Sequence, residues 1–411
     1  MRSQLSAIGQ RSETVRRANL SAIVRELHLR GPLTRSSLVV RTGLTRSAIR
    51  GLVGELVEGG LASEAPGAPL GTPGRPSSRV RLDPDRAVAI GLEISVDTLA
   101  AAVVGLGGVV QARERVARPR AHLSVDEIVG DLAELVGRIW PIGLPTTAAV
   151  GIGVAVVGIV RRSDGLVTLA PNLGWRDVPL AERLRGVLDV RAPISVANDA
   201  DLGALAELRR GAAAGYEDVL FVSGEVGVGG GLILGGRPLT GAAGFGGEVG
   251  HLPVNPLGVP CGCGSVGCWE TEVGERALLL RAGHAPDEGR DGVEAVLREA
   301  DAGSPRALAA LENVGRWLGR GLAGLVNIFN PRLIVLGGLL GRIHPYVDHT
   351  LEDSLDHFAL PAPRALVRIV PARLGVDAPL LGAAELALDP LLADPASWLR
   401  PRSAVAVPAS A

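Results

Sequence analysis

All three cysteines of the chain, Cys261, Cys263 and Cys268, fall inside one stretch of 25 residues, GGEVGHLPVNPLGVPCGCGSVGCWE (246–270). Three sulfurs at this spacing, joined by His251 a short loop upstream, make the donor set that closes a tetrahedral zinc site. Gly262, Gly264 and Gly267 let the backbone turn tightly around an ion. A four-ligand site leaves no open position for water or substrate, so the metal is expected to be structural and to fix a loop. The alternatives are a disulfide with one odd thiol, or unconnected buried cysteines. Cys261 and Cys263 are too close for an easy bridge, and the N-terminus shows no secretory signal.

Carboxylates flank this loop. Glu248 precedes the histidine and Glu270 follows the last cysteine, and neither is needed to complete a metal shell. Carboxylates held beside a rigid clip are suited to accept the charge-assisted, directional hydrogen bonds that sugar hydroxyls donate.

A hydrophobic content of 47% provides for a large core, and no apolar run approaches the ~20 residues of a membrane helix. These features point to a cytoplasmic globular protein of more than one domain. The net charge of -1 conceals an asymmetry. Residues 1–82 carry 13 arginines against five glutamates and no aspartate, whereas the remainder is acidic. A basic segment on an acidic body suggests a nucleic-acid-binding module attached to a domain with another ligand. Every basic residue is arginine, so a single arginine is weaker evidence of base reading than usual.

Within the basic segment, Leu20, Ile23, Val24 and Leu27 recur at helical spacing over 15–29, and Gly31-Pro32 ends the helix. Thr34 can cap a second helix over 35–41, closed by Gly43. Thr45 can cap a third over 46–58, with Ile49, Leu52, Val53, Leu56 and Val57 as its buried stripe. That leaves Arg46, Ser47 and Arg50 exposed at the start of a recognition helix, and the basic run around Arg75 reads as a wing. Residues 62–82 could otherwise be a linker, and the three helices a protein-interaction module.

From Val88 the pattern changes to short apolar strands punctuated by glycine, with helices between them, for example over 125–139. Residues 89–110 and 218–239 echo one another as strand, turn, strand and glycine turn. This suggests a duplicated α/β body with a ligand cleft between two lobes. Asn198 and Asp199 end a strand and open a helix, where open α/β sheets bind ligands, although a helix cap alone would account for either residue.

The chain resembles the ROK family of repressors, open reading frames and kinases, and within it the regulators of sugar metabolism. The resemblance rests on G-E-x-G-H (247–251), C-G-C-G-x-x-G-C-x-E (261–270), Asn172 in A-P-N-L-G-W, the Asn198-Asp199 pair, the glycines of 227–231, and N-I-F-N-P with L-I-V-L-G-G over 327–338. It implies a winged helix-turn-helix over 1–82 and a two-lobed, ribonuclease H-like domain of the actin and hexokinase type over 83–390, divided near residue 200. A disordered tail is expected over 391–411. The resemblance further implies structural zinc on His251, Cys261, Cys263 and Cys268, and a sugar held by Asn172, Asn198, Asp199, Glu248, His251 and Glu270. Asp199 would be the catalytic base in a kinase.

One departure separates kinase from regulator. The family's kinases carry D-x-G-G-T in the first glycine hairpin, but here the chain reads Glu93-Ile94-Ser95-Val96-Asp97, and Glu225-Val226 replaces the Gly-Thr of the second hairpin. Side chains and negative charge stand where phosphates would lie. The expectation is therefore a non-enzymatic, sugar-responsive repressor of carbohydrate genes, acting on operator DNA as a homodimer or homotetramer. The alternative is an ATP-dependent hexose or N-acetylhexosamine kinase carrying a DNA-binding appendage.

Overall fold

The computed structural model describes residues 12–65, 78–118 and 124–399. The first domain is built from α1 (Ser12–Arg30), α2 (Arg35–Thr42) and α3 (Arg46–Glu58), with β1 (Leu33–Thr34), β2 (Ala62–Ala65) and β3 (Arg79–Leu82) in a sheet of order β1-β3-β2. The local chemistry is as the sequence suggests. Thr34 and Thr45 accept from Ser37 N and Ala48 N as N-caps, and Gly43 closes α2 at φ 70°, a conformation that glycine adopts without penalty. Leu20, Ile23, Val24, Leu27, Ile49, Leu52, Val53 and Leu56 are buried, but Val57 faces outward at 38% exposure. Because β2 and β3 pair antiparallel, residues 62–65 and 79–82 are sheet rather than linker. Arg75 lies outside the described residues.

The body contains the same five-stranded sheet twice. In the first lobe β4 (Val88–Ile94), β5 (Thr98–Gly105), β6 (Val109–Ala117), β7 (Ala149–Val156) and β11 (Ile194–Asn198) run in the order β11-β7-β4-β5-β6. A side sheet of β8 (Ile159–Arg161), β9 (Leu166–Ala170) and β10 (Trp175–Pro179) adjoins it, with α4 (Val125–Ile139) and α5 (Leu180–Val187) packed alongside. In the second lobe β12 (Val219–Gly224), β13 (Val228–Leu234), β14 (Arg237–Pro238), β15 (Leu333–Gly337) and β16 (Arg368–Pro371) repeat that order as β16-β15-β12-β13-β14. Each lobe pairs its first two strands antiparallel and its first and fourth parallel, so the duplication extends to strand direction. Between the sheets runs α6 (Asp199–Arg210). The second lobe adds α7 (Glu270–Val273), α8 (Glu275–Ala282), α9 (Gly289–Asp301), α10 (Pro305–Phe329), α11 (Gly338–Phe358) and α12 (Pro361–Arg364).

Two expectations are corrected. The division near residue 200 fails for α13 (Ala378–Ala393), which returns to cover β4 and β7 of the first lobe. Glycine permits the approach: a Cβ on Gly153 would lie 1.8 Å from the Ala383 carbonyl oxygen. The disordered tail expected from residue 391 does not hold for 391–399. There Pro395–Trp398 forms a 3-10 turn packed on α1, and the Ser21 hydroxyl donates to the Leu392 carbonyl at 2.6 Å. One apolar cluster runs from α1 and α3 through β4 and β5 to α13, so the winged helix shares its core with the body. Among the described residues no helix is long and apolar enough to cross a membrane.

Candidate functional site

The donor atoms of His251, Cys261, Cys263 and Cys268 all lie within 4.8 Å of one another. Cys263 Sγ is 3.6 Å from Cys268 Sγ, and Cys261 Sγ is 3.7 Å from His251 Nδ1. Tetrahedral zinc with bonds of about 2.0 to 2.3 Å sets its donors roughly 3.5 to 3.8 Å apart, so this set fits that ion. The cysteines are free thiols, against the disulfide alternative. Neighbouring packing fixes the loop. Trp269 is fully buried, its indole N–H donates to the Trp317 carbonyl at 2.9 Å, and α10 thereby holds the start of α7.

Glu270, the first residue of α7, is drawn to this cluster. Its Oε1 accepts from the Cys261 thiol at 2.8 Å and lies 3.5 Å from His251 Nδ1. The opposite ring nitrogen of His251, Nε2, faces Glu248 at 4.0 Å. The imidazole can therefore give Nδ1 to a metal and keep Nε2–H for a ligand. Across the cleft, a Cβ on Gly227 would lie 2.7 Å from Glu270 Oε2 and 3.9 Å from Asn172 Nδ2, so glycine at the tip of the second hairpin brings these two side chains to one place. Glu248, His251, Glu270 and Asn172 are thus gathered, and all remain partly open to solvent.

Asn198 and Asp199 stand at the N-terminus of α6. Asn198 is the helix cap: its Oδ1 accepts from Ala200 N and Asp201 N at 2.8 and 3.3 Å, and its Nδ2 donates to the Gly158 carbonyl at 3.0 Å. The cap alternative therefore holds for Asn198, and much of its side-chain capacity is spent locally. Asp199 is different. Burial pushes its carboxyl up to about 7, with Glu93 and Glu225 adding to the rise. Asp201, two positions beyond the sequence expectation, is also pushed to about 7 by burial. Burial raises Glu248 as well.

The turns of the two glycine hairpins are occupied by ion pairs. Glu93 is buried and accepts both Nη groups of Arg115, at 3.0 and 2.7 Å. Arg290, at the start of α9, donates to Asp97 at 3.1 Å and lies 3.5 Å from Glu225. Asp97 does not stand alone there, because Arg290 meets it. Arg290 sits in no motif, and nothing in the local sequence marks it.

On the first domain, Arg46, Ser47 and Arg50 are exposed at the N-terminal end of α3. Arg16, Arg35 and Arg41 pair with Glu55, Glu64 and Glu26, whereas among the described residues neither Arg46 nor Arg50 has an acidic partner. Their charge is available to a phosphate or a base edge.

Comparison with known proteins agrees with this geometry. The profile of the ROK family matches residues 89–390. The xylose repressor of Bacillus spizizenii is 27% identical over 382 residues, covering 92% of this chain and 97% of the repressor. Among solved structures, a ROK family transcriptional regulator described as a homologue of the E. coli MLC protein superposes with a TM-score of 0.74, at 23% identity over 92% of this chain and 97% of that one. A ROK family glucokinase from Streptomyces griseus, in complex with glucose and AMPPNP, superposes with a TM-score of 0.65. It is 30% identical and is covered completely by 74% of this chain.

Proposed function

The chain belongs to the ROK family, and from that premise we propose that it is a sugar-responsive DNA-binding transcriptional regulator, a repressor of carbohydrate uptake or metabolism genes. The observation that carries this reading is the winged helix joined to the cleft domain by one continuous core, with Arg46 and Arg50 exposed at the recognition helix and without an acidic partner among the described residues. The similarity to the xylose repressor spans this whole arrangement, whereas the glucokinase matches only about three quarters of the chain. Arg46, Ser47 and Arg50 read the major groove and Arg75 reaches the minor groove, each subunit of a homodimer or homotetramer taking one half-site. Zinc on His251, Cys261, Cys263 and Cys268 serves as a structural clip that sets Glu270 and the His251 ring in place. An aldose or its phosphate is held by Asn172, Glu248, His251 and Glu270 from the second hairpin and the metal loop, and by Asn198 and Asp199 from α6. Closure of the lobes then shifts the winged helices between two poses.

A second reading, residual sugar kinase activity, is favoured by Asp199, whose carboxyl near 7 suits a general base. Against it stand Glu93, Asp97 and Glu225 at the hairpins that would receive phosphates. The experiment is selection of genomic DNA fragments on the purified protein near physiological salt, followed by release with a panel of aldoses and aldose phosphates. Recovery of one palindromic site, released by one compound, supports the regulator. Weak, salt-sensitive retention without a preferred site contradicts it.

A further inference from the structure

Helix α6 has a different task at each end. Its cap and first residue, Asn198 and Asp199, stand at the cleft. Twelve residues on, roughly 18 Å along the axis at 1.5 Å per residue, Arg210 meets the DNA-binding domain and Arg209 meets α13. Arg210 Nη1 donates to the carbonyls of His28 in α1 and Gly107 in the β5–β6 turn, at 3.3 and 3.0 Å, and its Nε donates to Glu385 of α13. Arg209 Nη1 donates to Glu385 Oε2 at 3.0 Å and to the Glu385 carbonyl at 2.9 Å. Gly107 N–H donates to His28 Nδ1 at 3.0 Å, and His28 Nε2 lies 2.9 Å from Glu385 Oε2 and 2.6 Å from Arg210 Nη2, so both ring nitrogens are engaged. His28 and Glu385 are 0% and 1% exposed. Four elements that are far apart in sequence thus converge on one buried ionic cluster at the boundary between the winged helix and the body.

Such a cluster does not deform gradually. Guanidinium forks and a buried imidazole have fixed bonding directions, so a small displacement of α6 must break contacts or exchange them, which makes the joint two-state. At its other end α6 is packed tightly against the second lobe. A Cβ on Gly203 would meet the Phe221 ring of β12 at 2.7 Å, and a Cβ on Gly229 of β13 would meet Ala200 Cβ at 2.8 Å. α13 lies on the first lobe and also packs along α6 itself, where a Cβ on Gly382 would lie 1.9 Å from the Leu202 carbonyl oxygen. Relative movement of the lobes is therefore felt where α6 meets α13 and α1.

We infer that α6 is the element through which the cleft sets the pose of the winged helix, with Arg210, Glu385 and His28 as positioning residues at its far end. The inference rests on the regulator reading for its output, but the mechanical link can be tested without sugar or DNA. Gly203→Ala pushes α6 off β12 from mid-helix, outside both the cleft and the cluster. Hydrogen exchange on the full-length protein should change by about threefold or more in the Leu20–Arg30 part of α1 and in the β5–β6 turn. In a His28→Gln background, which cuts the joint, Gly203→Ala should leave α1 exchange unaltered. If Gly203→Ala fails to fold, Gly229→Ala supplies the displacement, and Arg210→Gln can replace His28→Gln. Altered exchange in α6 with none in α1, or an α1 response undiminished in the His28→Gln background, would overturn the link. Failure of the regulator reading would instead appear as no DNA retained by the wild-type protein, and would leave the exchange result standing.

Discussion

Arg290 Nε donates to Oδ2 of Asp97 across 3.1 Å, tying the first turn of α9 in the second lobe to the β4–β5 turn of the first. With Glu225 3.5 Å from the same guanidinium, both hairpins that a kinase would offer to phosphate are engaged with a cation the protein itself supplies. On the proposed reading, phosphates placed there would compete with Asp97 and Glu225 for Arg290 and meet the negative charge of those carboxylates. The expected outcome of a coupled assay with aldose panels and ATP is no sugar-dependent ADP release. Turnover that disappears in Asp199→Asn would sink the regulator-only reading.

The metal centre gives a prediction of stoichiometry and stability. Native mass spectrometry should find one zinc per chain, lost in Cys263→Ser. Stripping it with a chelator should destabilise the protein by about 3 kcal/mol, the scale of opening a staple that closes a loop of this length. A protein that keeps its melting temperature after the metal is removed would show that Trp269 and α10 hold the loop unaided.

If Glu248 holds the aldose as proposed, Glu248→Ala removes one of its acceptors. Loss of a charged hydrogen bond should weaken aldose binding by roughly 10- to 100-fold in calorimetry, while affinity for a selected DNA fragment stays at the wild-type value. A variant that still responds normally to sugar would remove Glu248 from the pocket.

How much of this was legible in the sequence depended on distance along the chain. Thr34, Gly43 and Thr45 announce their caps because capping is a matter of three or four adjacent residues, and the metal loop is contained in 251–268. The duplicated hairpins show because glycine and apolar strands repeat in order. His28 and Glu385 are 357 residues apart, and nothing near either one hints at the other. The same holds for Arg290 and Asp97, 193 residues apart. α13 reads locally as one more apolar helix, and only the glycines on β4 and β7 that await it tell which lobe it covers.

Those glycines carry a stability prediction. A methyl at Gly153 would be driven to 1.8 Å from the Ala383 carbonyl oxygen, against backbone that cannot rotate away, so Gly153→Ala should cost about 3 kcal/mol or more and reduce soluble yield. Gly186→Ala, on α5 with nothing within 4 Å of the added carbon, should instead stabilise by up to about 1 kcal/mol through helix propensity. Urea titration of the two variants checks both signs.

The last prediction concerns pH. Burial, reinforced by Glu93 and Glu225, raises Asp199 to about 7, whereas an unfolded aspartate titrates at about 3.9. The folded protein therefore binds this proton more tightly than the unfolded chain. The contribution is favourable at low pH and is lost as pH rises from about 4 through 7. Asp199→Asn keeps the shape without the charge, so its stability advantage over the wild type should be small at pH 5 and larger at pH 8. Asp199 is still partly accessible, and screening reduces the expected gain to about 1 to 2 kcal/mol. Equal differences at the two pH values would contradict the assignment. The same variant should lose affinity for sugar, because an ionised carboxylate is an acceptor for two hydroxyls and an amide is not. A residue whose replacement stabilises the fold while weakening the ligand is kept for the ligand, and the sign of the stability change distinguishes Asp199 from Asn198, whose loss as a cap should destabilise as it weakens the ligand.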